Sequence, residues 1–235
     1  MTLSLLRRLH KWVAVVVGLQ ILLWCVSGAT FAWLEDEKVS GEHLAGPPAR
    51  VAVPAALALA DPRPLVARDT TEVRLLRVGE RWVYRVTTEA ARRLHDAATG
   101  APVELDAPAV SALATALYHG EGRLVGVERH DAATMETRKH GAAWAATFDD
   151  ELGTTLWLSA DDGRLLETRT DTWRLFDIFW MLHTMDYDGR DDFNHPLVIL
   201  FASVSLWVAV TGAWLVVRVF RKPKPAAPPQ APTSA

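Results

Sequence analysis

Two stretches of this chain carry no charged side chain at all: residues 12–34 and residues 196–217. Each is about 22 residues long. At 1.5 Å per residue, a helix of that length matches a hydrocarbon layer about 30 Å thick. Trp12, Trp33, Trp207 and Trp214 edge or dot the two runs, and tryptophan favours the membrane–water interface. The runs therefore predict two transmembrane helices. Outside them the chain is ordinary. A hydrophobic share of 50% and a mean hydropathy of +0.08 leave no room for the many spans of a polytopic transporter.

Charge is sorted along the chain just as sharply. All 28 acidic residues fall between Glu35 and Asp192. Seven basic side chains (Arg7, Arg8, Lys11, Arg218, Arg221, Lys222, Lys224) flank the outer ends of the runs. Removing those from the 25 leaves 18 basic against 28 acidic residues in the segment between. Basic flanks are retained in the cytoplasm. The expected topology thus has both termini cytoplasmic and residues 35–192 outside, in a bacterial inner membrane. A net-acidic outer segment also excludes nucleic acid as a partner; the expected partner is the lipid bilayer. The N-terminal run is long for a signal peptide and no A-x-A site closes it, so an uncleaved anchor is expected. Trp24 stands where a lipoprotein site needs a small residue. Cys25 is the only cysteine, which excludes an intramolecular disulfide and a cysteine-based metal cluster.

Between the runs the pattern changes to short alternating segments. Residues 35–50 read as a linker around Gly46-Pro47-Pro48, and residues 52–60 as a short helix ended by Asp61-Pro62. Strands are predicted over 72–78, 81–88, 91–96 and 101–105, with turns at Gly79-Glu80 and Thr99-Gly100. Asp106 is placed to cap an alanine- and leucine-rich helix reaching about Tyr118 and closed by Gly120. A second set follows over 123–129, 142–148, 154–159 and 164–170, with a turn at Asp161-Asp162-Gly163. The two sets resemble each other, the stretch from Trp82 to Gly100 matching that from Trp144 to Gly163. This reads as a duplicated antiparallel meander, with repeats at about 51–105 and 106–170 and a helix between the halves. Trp82 and Trp144 are then expected to be equivalent and both to point inward. Residues 173–187 form an aromatic-striped helix expected on the outer membrane surface. Residues 221–235 are Pro/Ala-rich and read as a disordered tail.

Three stretches carry a resemblance to a known family. Leu6-Arg7-Arg8-Leu9-His10-Lys11-Trp12 with Gly18 looks like an opening R-x-L-H-x-W…G helix. The duplicated strands look like PepSY modules. Leu182-His183-Thr184-Met185-Asp186-Tyr187-Asp188-Gly189-Arg190, followed by an apolar run with Thr211-Gly212, looks like a closing helix. Together they resemble the PepSY-associated transmembrane family. That resemblance implies a membrane-anchored periplasmic module. Larger four-span relatives include ferric-siderophore reductases that hold b-type haem on membrane histidines. This chain has two such runs and no G-x-G-x-x-G dinucleotide motif, so a complete reductase within it is not expected.

The chemistry therefore centres on histidine. His10 lies at the cytoplasmic end of the first run and reads either as an interfacial side chain or as a haem axial ligand. His183 follows the aromatic stripe and His195 precedes the second run; both are candidate ligands at the opposite face, against plain anchoring roles. A full span separates His10 from His183, so one haem cannot join them within one protomer. Asp186, Asp188, Asp191 and Asp192 read as a solvated loop that does not fit an EF-hand, and His130, Glu136 and His140 are too loosely spaced for a metal site. Ser27, Ser203, Ser205 and Thr211 read as helix-packing residues.

The expected fold class is α+β: two transmembrane helices flanking a periplasmic domain of duplicated PepSY-like antiparallel β-meanders with helices. The domains expected are 1–34, 35–172, 173–195, 196–220 and the tail 221–235. The expected function is a haem b-binding accessory of transmembrane electron transfer linked to iron or metal reduction, with His10, His183 and His195 as ligands and a redox partner. The alternatives are a non-enzymatic periplasmic interaction module and a structural subunit of a membrane complex. Because two spans cannot enclose a cofactor as four helices can, a homodimer or membrane heteromer is expected. Ser205, Ala209 and Ala213 would line its contact.

Overall fold

The computed structural model describes residues 3–47 and 51–221. The expected disordered tail lies outside the described residues, apart from Arg221. The chain divides into two units, residues 29–180 and residues 1–28 with 181–235, and the architecture is α+β.

In the first unit, β1 (Thr70–Val78), β2 (Arg81–Thr88), β3 (Arg92–Asp96) and β4 (Pro102–Val103) form one antiparallel sheet in chain order. A second sheet, β5 (Leu124–His130), β6 (Ala143–Phe148), β7 (Thr155–Ser159) and β8 (Leu165–Arg169), repeats that order. Within this unit two complete α-helices precede the second sheet in the chain. A single turn, α2 (Asp36–Ser40), lies in the expected linker, whose next residues tie back through a bridge between Ala45 and Tyr118. The other, α3 (Ala107–Leu117), stands between the sheets in sequence. Asp106 caps α3 by accepting the Ala109 N–H at 2.9 Å. Val110, Leu113, Ala114 and Leu117 are its buried face, at the spacing of one helical stripe. The helix expected over 52–60 does not form. Its last residue is held elsewhere: Ala60 N–H donates to the Ala97 carbonyl and its own carbonyl accepts from the Tyr84 hydroxyl.

The two meanders share one turn. Gly100 donates to the Asp96 carbonyl at φ +75°, and Gly163 donates to the Ser159 carbonyl at φ +69°, a conformation that favours glycine. Val83 pairs with Asp96, and Ala143 with Ser159. Matching the turns therefore makes Tyr84 the counterpart of Trp144, since these pair with His95 and Leu158. Trp82 is not that counterpart, which corrects the sequence alignment. The chain between paired strands runs through residues 88–91 in one half and 148–154 in the other, so counting from the turn reaches a different residue in each half.

The register has a further consequence. Val78, Val83 and Leu94 of the first sheet join Trp144, Ala146, Phe148, Leu156 and Leu158 of the second, with the α3 stripe, in one core. The counterparts of Val83 and Leu94 are Ala143 and Trp157, which belong to a separate small cluster with Ala145. Equivalent strands thus present opposite faces to the shared core. Trp144 is buried in that core, whereas Trp82 is only partly buried and lies outside it.

The other unit contains α1 (Leu3–Trp33) up to Gly28, the end of α4 (Asp171–Thr184), and α5 (Pro196–Phe220). Both α1 and α5 are long and apolar enough to cross a membrane. Their contacts fix a stagger. His10 lies against Thr211 and Gly212, and an apolar groove of about 390 Å³ is lined by Trp12, Val13, Val16 and Val17 with Leu200, Phe201 and Val204. Pro196 is therefore level with the stretch of α1 from about Gln20 to Cys25.

Candidate functional site

At the level of α1 where α5 begins, the buried side chains of α1 are polar. Gln20 donates to the Leu182 carbonyl at 3.3 Å, and Trp24 Nε1 donates to the His183 carbonyl at 2.8 Å. These are carbonyls of the last turn of α4, which no further helical turn can satisfy. Met185 follows at φ +57° and ends the helix. Sequence reasoning placed this helix on the membrane surface. In the structure its last turn meets α1 at Gln20, Trp24 and Ser27, about 10 to 20 Å along the axis from Leu34, the C-terminal end of the charge-free run. The side chains doing this, Gln20 and Trp24, are the uncharged hydrogen-bond donors of an otherwise aliphatic stretch.

His183 belongs to that same turn. Its Nδ1 lies 2.7 Å from Ser27 Oγ, and its ring packs at 45° to Trp24 with centroids 6.3 Å apart. Ser27 is 1% exposed, and its hydroxyl points at the Leu23 carbonyl (2.8 Å), with the Trp24 carbonyl at 3.2 Å. A hydroxyl has one proton. With that proton on the backbone, Ser27 Oγ accepts, so His183 Nδ1 must donate. The imidazole is then the Nδ1–H tautomer, with its lone pair on Nε2.

The same construction occurs at His10. Its Nδ1 lies 2.8 Å from Thr211 Oγ1, and its ring packs at 47° to Trp207 with centroids 6.3 Å apart. Thr211 in turn donates to the Trp207 carbonyl at 2.8 Å, with the Val208 carbonyl at 3.2 Å. His10 is therefore also an Nδ1 donor with its lone pair on Nε2. Gly212 makes room for it: a Cβ there would come within 3.3 Å of Cε1 and 3.6 Å of Nε2. The two histidines thus have the same brace: a tryptophan and a hydroxyl one turn apart on a neighbouring helix. From His10 to Ser27 is about 26 Å along α1.

His195 differs. Its Nδ1 accepts the Leu197 N–H at 3.4 Å and caps α5, which leaves the proton of the neutral ring on Nε2. The acidic loop between His183 and His195 is organised from within. Asp186 accepts backbone N–H groups of Gly189, Asp191 and Asp192, each at 3.0 Å. These bonds hold its pKa down at about 2. Glu136 accepts from Trp157 Nε1 and Arg174 Nε, and His140 faces Glu167. Among the described residues no group of three His, Cys, Asp or Glu could hold a metal ion.

Sequence reasoning found the histidines but not their braces. Ser27 and Thr211 read as packing residues because serine and threonine inside helices commonly bond the preceding turn. The available signal was spacing: Trp24 and Ser27 are three apart, Trp207 and Thr211 four, and each pair falls on one helix face. Comparison with protein-family models, with curated proteins and with solved structures returns no match.

Proposed function

We propose that this chain is an inner-membrane protein of the PepSY-associated transmembrane type that holds b-type haem on His10 and His183. On this reading it carries electrons across the bilayer as an accessory of iron or metal reduction. One observation carries it: two histidines, about 26 Å apart along α1, share the same brace of a tryptophan and a hydroxyl. A haem or metal ligand needs a neutral imidazole whose far nitrogen is held by a hydrogen bond, which fixes the ring and raises its basicity. Thr211 and Ser27 supply that bond, and the bare Cα of Gly212 leaves space beside His10 Nε2. Haem iron would contribute one-electron redox chemistry; the protein's part is to hold the rings and exclude water.

About 26 Å of α1 separates the two sites, so the two histidines would hold separate groups and any further ligating residue would come from elsewhere. A second copy of the chain would supply an equivalent His10 at the same depth. The basic termini and acidic middle segment support a cytoplasmic location for both ends and a periplasmic one for the β domain. His195 serves this scheme as a helix cap. A second reading, a non-enzymatic binding module, draws on β5, an edge strand with exposed Val125, to which an extended peptide could add.

The test is a visible spectrum of the detergent-purified protein from haem-replete cells, oxidised and then reduced. The expected result is a Soret band with sharp α and β bands on reduction, and about half the haem lost in His10→Ala and in His183→Ala. A colourless protein, or two variants with undiminished haem, would overturn the proposal; the colourless outcome would favour the binding module.

A further inference from the structure

The core of the β domain ends, at one edge, in a group of side chains that are not apolar. Arg85 and Thr87 on β2 and Arg92 on β3 share the face of Val83 and Leu94, as the pairings Arg85–Leu94 and Thr87–Arg92 require. From the second sheet, the turn before β8 brings Asp162 and Arg164 to the same place. Asp162 has a side chain with no exposed surface, whereas Arg85 is 18% exposed and Arg92 and Arg164 are near 44% and 42%. The group opens to solvent on its arginine side.

Its hydrogen bonding is incomplete. Arg85 Nη1 stands 3.7 Å and Arg92 Nε 4.0 Å from Asp162 Oδ2, and Arg164 Nε stands 3.7 Å from Oδ1. These are ion-pair separations, too long for hydrogen bonds. Asp162 Oδ1 accepts only the Arg164 backbone N–H, at 3.4 Å. Arg85 Nε, Thr87 Oγ1 and Asp162 Oδ2 are buried without any hydrogen-bond partner. Three guanidinium groups around one carboxylate leave two positive charges uncompensated. Buried donors and acceptors left open in this way call for a ligand or ordered water.

The open valences define the ligand. It must bring two negative charges and several acceptor oxygens for Arg85, Arg92 and Arg164. It must also carry one proton to donate to Asp162 Oδ2, because a fully deprotonated oxyanion would meet that carboxylate with like charge. We propose that Arg85, Arg92 and Arg164, with Thr87 and Asp162, form a binding site for a protonated phosphate group. Arginine forks suit phosphate oxygens, and the P–OH would donate to Asp162. Asp162 then acts as the selector: at neutral pH phosphate keeps a proton and sulfate keeps none.

The experiment uses the full chain in detergent, freed of phosphate and titrated calorimetrically with inorganic phosphate, glycerol 3-phosphate and sulfate. One phosphate group should bind per chain, about tenfold or more tighter than sulfate, the discrimination expected where a buried acceptor loses its donor. Inorganic phosphate should also bind tighter than glycerol 3-phosphate, because a monoester with two negative charges has no P–OH left to donate to Asp162; the reverse order would overturn the proposed role of Asp162. Asp162→Asn, whose amide can donate, should raise sulfate affinity and erase the preference. Arg164→Gln, at a half-exposed position that should leave folding intact, should weaken phosphate by about tenfold. Absent saturable phosphate binding, sulfate binding as tight as phosphate in the parent, or an unchanged preference in Asp162→Asn would each overturn the site.

Discussion

In the β domain the enclosed side chains are mostly apolar, among them Val83, Leu94, Val110, Ala146, Leu156 and Leu158, beside a few threonines such as Thr154 and Thr170; along α1 they are Val17, Gln20 and Ser27. The outward-facing residues invert in the same way. Around the sheets they include Arg74, Arg93, Arg123 and Glu151, while on the helical pair they are Val16, Leu19, Leu206, Val210 and Val219, the last 71% exposed. No residue of α5 is buried. A chain folding in water sorts apolar groups inward. A helix pair in lipid gains nothing from that sorting and is joined by close packing and hydrogen bonds. The contrast is what one polypeptide in two solvents would show, and it supports the proposed bilayer location independently of run length.

The largest effect that could break this comparison lies in the β core. Trp144→Ala should destabilise the domain by about 3–5 kcal/mol, as large aromatic deletions in cores do. Trp82→Ala, at a partly buried place outside the core, should cost less than half of that. Chemical denaturation of the full chain followed by near-UV circular dichroism measures both. Equal losses would mean that the two tryptophans are equivalent after all and that the register deduced from the glycine turns is wrong.

A middle-sized effect separates the two solvents directly. In water a carbonyl that loses its protein donor can take one from solvent, whereas in hydrocarbon no donor is at hand. Gln20→Leu removes the donor to the Leu182 carbonyl and leaves that carbonyl enclosed, at a cost of about 1–3 kcal/mol. The loss should be local. Amide exchange in the last turn of α4 and in the loop that Asp186 organises should quicken, while the amides of β6 and β7 keep their rates. Unchanged exchange at the end of α4 would remove Gln20 as its cap.

How far these features could be read from sequence follows the same division. Strand order and most strand ends were legible because alternation and the Gly79, Gly100 and Gly163 turns are local signals. The correspondence of Tyr84 with Trp144 was hidden by the longer connection through residues 148–154. It is a long-range register, and the repeated tryptophans suggested a different one. The helix predicted over 52–60 failed because Ala60 is claimed by Ala97 and Tyr84, partners distant in sequence. His10 and His183 stood out as ionisable groups at the edges of apolar runs, yet nothing local could tell that Thr211 lies 201 residues from the ring it braces.

The smallest stability effect tests those braces. Thr211→Val keeps the shape of the side chain, and Ser27→Ala removes a single oxygen, so each should shift unfolding by only about 1 kcal/mol. The tautomer should respond much more. In the parent, each hydroxyl proton is directed to a backbone carbonyl, which makes Nδ1 of His10 and of His183 the donor. Without the acceptor oxygen, Nδ1 loses its reason to keep the proton, and the Nε2–H form, usually the commoner one in water, becomes accessible. Nitrogen-15 spectra of the histidine-labelled, haem-free protein distinguish the two forms directly and do not depend on any cofactor being bound. The expected result is a single Nδ1–H signature for both rings in the parent, with mixed tautomers for His10 in Thr211→Val and for His183 in Ser27→Ala. Each substitution should leave the other ring unchanged, since about 26 Å of helix lies between them. His195 provides the internal reference: its Nδ1 accepts from Leu197, so it should keep the opposite tautomer throughout. If His10 and His183 matched His195 in the parent, their lone pairs would lie on Nδ1, against the hydroxyls. The shared geometry would then be helix packing and would carry no ligand.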